Sequence, residues 1–163
     1  MHEEPSFDAT VLAPFAMLGI RTDKGCVTGI EYLPRSHREM AAANRVAERA
    51  VRELERYLED PEFAFTLPLD ARGSAFRRRV WDAISAIPVG QSRTYGELAR
   101  VVHSAPRAVG GACGANPIAL VIPCHRVVGS RGVLGGFMNA SSGDPLAIKR
   151  WLLAHEGYRF GLT

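Results

Sequence analysis

The 163-residue chain is poor in cysteine, with only Cys26, Cys113 and Cys124. Their number is odd, their spacing is wide, and no CxxC pair occurs. Neither a disulfide framework nor a zinc knuckle is suggested, and no metal or cofactor is expected. Free thiols in a reducing compartment fit better, and one of them could be a nucleophile. Long apolar runs are also missing, and none approaches the ~20 residues that span a bilayer. The opening MHEEPSFDAT is acidic and polar, without the basic-then-apolar order of a secretory signal. A cytoplasmic protein without membrane association is expected.

What is present is an ordinary globular composition, 47% hydrophobic, enough for one compact domain or two small ones. Charge is divided unevenly. Residues 1–73 carry nine Lys/Arg against 13 Asp/Glu, and residues 74–163 carry 11 against four. The net values are −4 and +7. A basic C-terminal half suggests a polyanionic partner, with chance surface variation as the alternative.

The pattern predicts an α/β (α+β) protein of two domains, residues 1–73 and 74–163. In the first, Val11-Leu12, Met17 to Ile20 and Val27 to Leu33 read as strands, with Asp23-Lys24-Gly25 as a turn. Ser36 and Glu39 form a capping-box pattern before a long helix whose apolar face is Val46, Ala50, Leu54 and Tyr57. Residues 61–73 read as a linker with an extended stretch from Phe63 to Leu69. No chemistry is visible in this part.

The second domain reads as mostly helical. A helix from Ser74 presents Phe76, Val80, Ile84 and Ile87, and Pro88-Val89-Gly90 stops it. Thr94 and Glu97 form another capping box for a short helix through Val102. After His103 to Pro106, Arg107 opens a helix of small residues, Ala108-Val109-Gly110-Gly111-Ala112. Two short helices across a tight turn predict a helix-turn-helix. The small residues allow either tight helix packing or close approach to a partner. Pro117 to Pro123 is an apolar run leading into Cys124-His125-Arg126. Asp144-Pro145 starts a last helix, with Ile148, Trp151 and Leu152 inward, and Gly157 ends it.

Taken from its neighbours alone, Cys124 admits three readings. A free thiol is only a few per cent ionised at neutral pH, so a nucleophile needs a base. His125 is adjacent, a position from which helical side chains do not face each other, so a bridging water is one solution. Glu156 is the candidate to orient that histidine. The other readings are a buried structural cysteine and a Cys–His metal site, for which no second ligand pair has the usual spacing.

The longer string Val121-Ile122-Pro123-Cys124-His125-Arg126-Val127-Val128 resembles the active-site signature of the O6-alkylguanine-DNA alkyltransferases, the methylated-DNA–protein-cysteine methyltransferases. Supporting segments follow in order: Tyr95-Gly96-Glu97-Leu98-Ala99, Arg107-Ala108-Val109-Gly110, Asn116-Pro117, Gly136-Phe137, Lys149 to Leu153, and His155-Glu156-Gly157. The resemblance covers residues 74–163. The first domain is similar only in pattern to the family's variable, ribonuclease-H-like domain.

The resemblance implies irreversible, single-turnover transfer of a methyl or larger alkyl group from O6-alkylguanine in double-stranded DNA to Cys124. His125 would act as base through water, and Glu156 would orient it. Asn116 would brace the reactive segment, and Tyr95 would donate to the departing guanine. Arg107 would fill the gap left by an everted base. Ala108, Gly110, Gly111, Tyr95 and Arg126 would also meet DNA, through the minor groove. Carbonyls of Cys124 and Val127 would read the base, and Val127, Val133, Gly136, Phe137 and Met138 would line its pocket. A monomer, associated with the nucleoid when on DNA, is expected.

Two features depart from the family pattern at the pocket wall. Met138 stands where relatives often carry a small residue, serine or tryptophan, and Asn139 to Gly143 reads as an insertion. The interval from Tyr95 to Arg107 is short, as in archaeal-type members. Rival readings are a non-reactive alkyltransferase-like lesion binder, a helix-turn-helix regulator and a cysteine hydrolase.

Overall fold

A computed structural model describes residues 6–130 and 145–159. The chain divides into two compact units, residues 1–71 and 72–163, so the division falls just ahead of the expected boundary.

In the first unit, β1 (Ala9–Leu12), β2 (Met17–Asp23) and β3 (Cys26–Leu33) form an antiparallel sheet in the order β1-β2-β3. Met17 to Ile20 are buried consecutively, as in a central strand covered on both faces. Lys24 and Gly25 both have positive φ, 50° and 79°, the requirement of a two-residue hairpin whose twist matches its strands.

Helix α1 spans Arg45–Glu59 and starts later than the Ser36–Glu39 pattern predicts. Asn44 is the cap, its side chain accepting from the Ala47 N–H at 2.9 Å. Residues 40–43 are taken by β1 instead. The Thr10 N–H donates to the Met40 carbonyl at 3.0 Å, and the Ala43 N–H donates to that of Asp8 at 2.8 Å. Ala47, Ala50, Leu54 and Tyr57 form the buried face, whereas Val46 is only half-buried. Buried Glu53 fastens the following segment, accepting from the Thr66 N–H at 2.7 Å and the Thr66 hydroxyl at 2.9 Å. That segment ends against β3, where the Val27 N–H donates to the Pro68 carbonyl at 2.8 Å.

The second unit contains α2 (Ala75–Ser85), β4 (Arg93–Thr94), α3 (Tyr95–Val101), α4 (Pro106–Gly114), a 3-10 turn (Cys124–Arg126), β5 (Val127–Val128) and α5 (Pro145–His155). Ser74 caps α2, accepting from the Arg77 N–H at 3.2 Å. The core of α2 is Val80, Trp81 and Ile84, with Phe76 only half-buried. Trp81, absent from the expected face, ties α2 to α4 through an indole N–H donated to the Ala112 carbonyl at 2.8 Å. Thr94 and Glu97 form the expected capping box on α3. His103, with φ 55°, turns the chain between α3 and α4, and α4 starts at Pro106. Gly157 closes α5 with φ 83°, and the Tyr158 N–H reaches back to the Leu153 carbonyl at 2.9 Å.

Strands β4 and β5 pair in parallel, Arg93 with Val127 and Thr94 with Val128. This pairing sets the start of α3, and with it Tyr95, beside the chain leaving Cys124. No described helix is long and apolar enough to cross a membrane.

Candidate active site

The apolar run before Cys124 is wound into two successive tight turns. The Val121 N–H donates to the Ala119 carbonyl at 2.8 Å around Leu120, whose φ is 72°. A γ-turn of this hand is the rare and strained form. The Cys124 N–H then donates to the Ile122 carbonyl at 2.8 Å around Pro123. Ile118, Leu120 and Ile122 are buried and hold this path.

Asn116 braces the result. Its Nδ2 donates to the Ile122 carbonyl at 2.9 Å and to Cys124 Sγ at 3.2 Å, while its Oδ1 accepts from the Ile118 N–H at 3.0 Å. One side chain thus fixes both ends of the Ile118–Ile122 bend and meets the sulfur. Cys124 is 6% exposed. Interaction with the thiol of Cys113, on the last turn of α4, together with burial and the charge of Cys113, holds the Cys124 thiol well above the ordinary range, while the Asn116 amide and the Lys149 cation act the other way. The same interaction pulls Cys113 down, against its own burial and with help from Lys149.

His125 is buried, and its Nε2 lies 2.8 Å from Glu156 Oε2. Burial holds the imidazole below its ordinary pKa, outweighing the hydrogen bond and charge of Glu156. The ring is therefore neutral near pH 7, and its proton belongs on the nitrogen facing the carboxylate. The other nitrogen, Nδ1, is buried without a hydrogen-bond partner among the described residues. It is left as a free lone pair, one residue from the sulfur.

Arg126 corrects an expectation. Read as a DNA contact, it turns inward instead. Its Nε and Nη2 donate to the two Glu156 oxygens at 2.8 and 3.0 Å, and Nη1 donates to the Ile87 carbonyl at 2.7 Å. A buried carboxylate beside a neutral imidazole needs a counter-charge, and Arg126 supplies it in the forked geometry a guanidinium favours.

Tyr95 is half-buried, and Gly110 of α4 lies beside its ring. Burial, with negative charge on Cys113 and Cys124, pushes its phenol up to about 12. It therefore remains a proton donor at neutral pH. Arg107, Ala108 and Gly111 form the exposed face of α4, opposite buried Val109 and Ala112. Val127 is buried, and its carbonyl accepts from Lys149 Nζ at 2.7 Å. The Cys124 carbonyl accepts from the Val127 N–H. Each carbonyl keeps one further lone pair. Val133, Gly136, Phe137, Met138 and the Asn139–Gly143 stretch lie outside the described residues. So does Asp144.

Two residues of this cluster had no role in the sequence reading, Cys113 and Lys149. Lys149 is fully buried, which lowers its pKa to about 8, although the two sulfurs oppose that change. Its signal was positional. It lies at helical spacing from Leu152 and Leu153, on the face of α5 that is buried. A cleft of about 450 Å³ lined by Ile87, Arg93, Glu97 and Val101, among others, contains no residue of this cluster. Among the described residues no group of three or more His, Cys, Asp or Glu could hold a metal ion.

A hydrogen-bonded sulfur next to a carboxylate-anchored imidazole defines a protein built for thiol chemistry. Residues 75–158, half of the chain, match the family described as 6-O-methylguanine DNA methyltransferase, DNA binding domain. The chain belongs to this family. It is 48% identical over 109 residues to a methylated-DNA–protein-cysteine methyltransferase of Mycolicibacterium paratuberculosis. That match covers 66% of this chain and 63% of the relative, just under two thirds of the latter's length. Among solved structures, Mycobacterium tuberculosis O6-methylguanine methyltransferase superposes with a TM-score of 0.76 at 34% identity, with 90% of each chain covered. The same organism's OGT in complex with DNA gives 0.72 at 35% identity, again with 90% of each covered.

Proposed function

We propose that this protein repairs DNA by direct reversal, moving an alkyl group from O6-alkylguanine to Cys124 once per molecule. The observation that carries this reading is the placement of Cys124 Sγ. It is held by the Asn116 amide at 3.2 Å, one residue from an imidazole whose far nitrogen is bound by Glu156.

The neutral His125 ring offers Nδ1 as a base, and a bridging water would carry the Cys124 proton to it. The thiolate attacks the alkyl carbon. A sulfur–carbon bond forms, the carbon–O6 bond breaks, and the electron pair leaves on guanine. Tyr95, kept protonated, donates to that anion. The product thioether has no easy route back, so each molecule acts once.

The target carbon lies inside a duplex, so its base must be everted, at a cost of roughly a few kcal/mol that falls for a weakly paired lesion. Arg107, exposed at the start of α4, suits the gap left behind. We read α3, the His103 turn and α4 as a helix-turn-helix whose second helix enters the minor groove. Gly111 supports this. Among the described residues a Cβ there would meet nothing within 4 Å, so their packing does not demand a glycine. Close approach by an external backbone supplies a reason. The strand meander and α1 are read as a reduced ribonuclease-H-like support domain, and the protein as a monomer working on DNA in the cytoplasm.

The test is incubation with duplex DNA containing O6-methylguanine, followed by digestion and base analysis. Wild-type protein restores one guanine per molecule, and Cys124→Ser binds the DNA but restores none. Binding without restoration by the wild type would favour a lesion binder. Repeated turnover would favour a hydrolase.

A further inference from the structure

Lys149 takes no part in the mechanism above, yet its side chain is carried completely into the interior, at a cost that only definite bonds offset. It lies on α5, two helical turns ahead of Glu156, whose N–H still bonds the Leu152 carbonyl at 3.1 Å. Together the two side chains anchor three consecutive residues. Glu156 holds His125 and Arg126, each at 2.8 Å, and Lys149 Nζ donates to the Val127 carbonyl at 2.7 Å. Val127 is thereby bonded at both of its backbone groups. Its N–H closes the turn onto the Cys124 carbonyl, and its carbonyl takes the ammonium. It is also the first residue of β5, in register with Arg93, two residues before Tyr95. Two residues a side are too few to keep a strand pair in place unaided. Burial of Val127 and Val128 holds β5 in place, together with the grip of α5 on the Val127 carbonyl.

We propose that Lys149 is a positioning residue for the transfer, fixing β5 through the Val127 carbonyl so that the β4–β5 pair sets the Tyr95 phenol against the Cys124 sulfur on one guanine. This rests on the reading of Cys124 as alkyl acceptor and Tyr95 as donor. The transfer needs both groups on the same substrate, the sulfur at the alkyl carbon and the phenol at the departing base. They come from separate segments that meet through β4 and β5. Misplacing a reacting group by about 1 Å costs roughly 10²-fold in rate. The Lys149 cation also draws the Cys124 pKa down, which is an effect on the sulfur alone. The bond to Val127 acts instead on the relation between sulfur and phenol. The two effects separate by leaving group. Displacement of iodide needs the thiolate but no proton donor, because iodide is stable as the anion. Displacement of guanine needs both.

The test compares wild type, Lys149→Met, Tyr95→Phe and the double variant in two reactions of Cys124. One is single-turnover methyl transfer from O6-methylguanine duplex. The other is alkylation by iodoacetamide without DNA, with sites resolved by peptide mass mapping. Lys149→Met is similar in length but has no donor. It loses roughly 10- to 100-fold in methyl transfer, and its loss toward iodoacetamide is about tenfold smaller. In the Tyr95→Phe background the same change costs methyl transfer no more than about threefold beyond its iodoacetamide loss, because no phenol is left to align. Methyl transfer at the wild-type rate in Lys149→Met would overturn the proposal. So would equal losses in the two reactions, or losses that simply multiply in the double variant. Wild-type protection of Cys26 and Cys113 from iodoacetamide verifies the fold. If the methionine variant does not fold, Lys149→Gln replaces it with the same expected split, its amide falling one bond short of the Val127 carbonyl. A wild-type protein that restores no guanine overturns the repair reading instead.

Discussion

Glu156 collects three charged or polar donor atoms inside the second unit, from His125 and from two nitrogens of Arg126. Removing Arg126 would strand a buried carboxylate. Arg126→Ala is expected to cost about 3–5 kcal/mol of stability, read from urea unfolding. The salt dependence of DNA affinity should stay as in wild type, because the guanidinium is already spent. A shallower salt slope would return Arg126 to the DNA surface. His125 makes a second prediction. Its folded pKa is lower than the 6.5 of an unfolded histidine, so below that pH the unfolded chain binds the extra proton. Stability therefore falls as pH drops through 6.5, and the lost part is present in full above it. In His125→Gln this part of the acid dependence is absent, which denaturation midpoints between pH 7 and 5 will show.

At the scale of elements, α4 carries two adjacent glycines in its interior, a choice that disfavours a helix. Gly111→Ala adds a methyl in open space and should stabilise the fold by roughly 0.5–1 kcal/mol. DNA affinity should nevertheless fall. A variant that melts higher and binds equally well would remove the exposed face of α4 from the interface. How much of this was legible in the sequence depended on range. The Thr94–Glu97 cap closes within one turn and was readable. Ser36–Glu39 has the same pattern, but β1 competes for the chain from Met40 onward, a contact 30 residues away in sequence. The β4–β5 pair is two residues long on each side, too short for any periodicity, yet it brings Tyr95 to the cysteine. Asn116, His125 and Glu156 were legible through their order along the chain. The inward turn of Arg126 was not, because it depends on Glu156 and the Ile87 carbonyl, 30 and 39 residues away in sequence, meeting it in space.

For the whole molecule, the uneven charge fits the proposed reading of a nucleophile consumed on DNA. A basic half would give affinity through phosphates with little sequence preference, which suits a protein that scans for scattered lesions. On that reading one molecule answers one lesion. The account stands on Cys124 as the acceptor. The most direct measurement is the intact mass of the protein titrated with O6-methylguanine duplex, with peptide mapping of the product. The predicted result is one added methyl group, on Cys124, saturating at one per molecule. Unchanged mass at excess lesion, or a methyl on Cys113 or Cys26 instead, would contradict it.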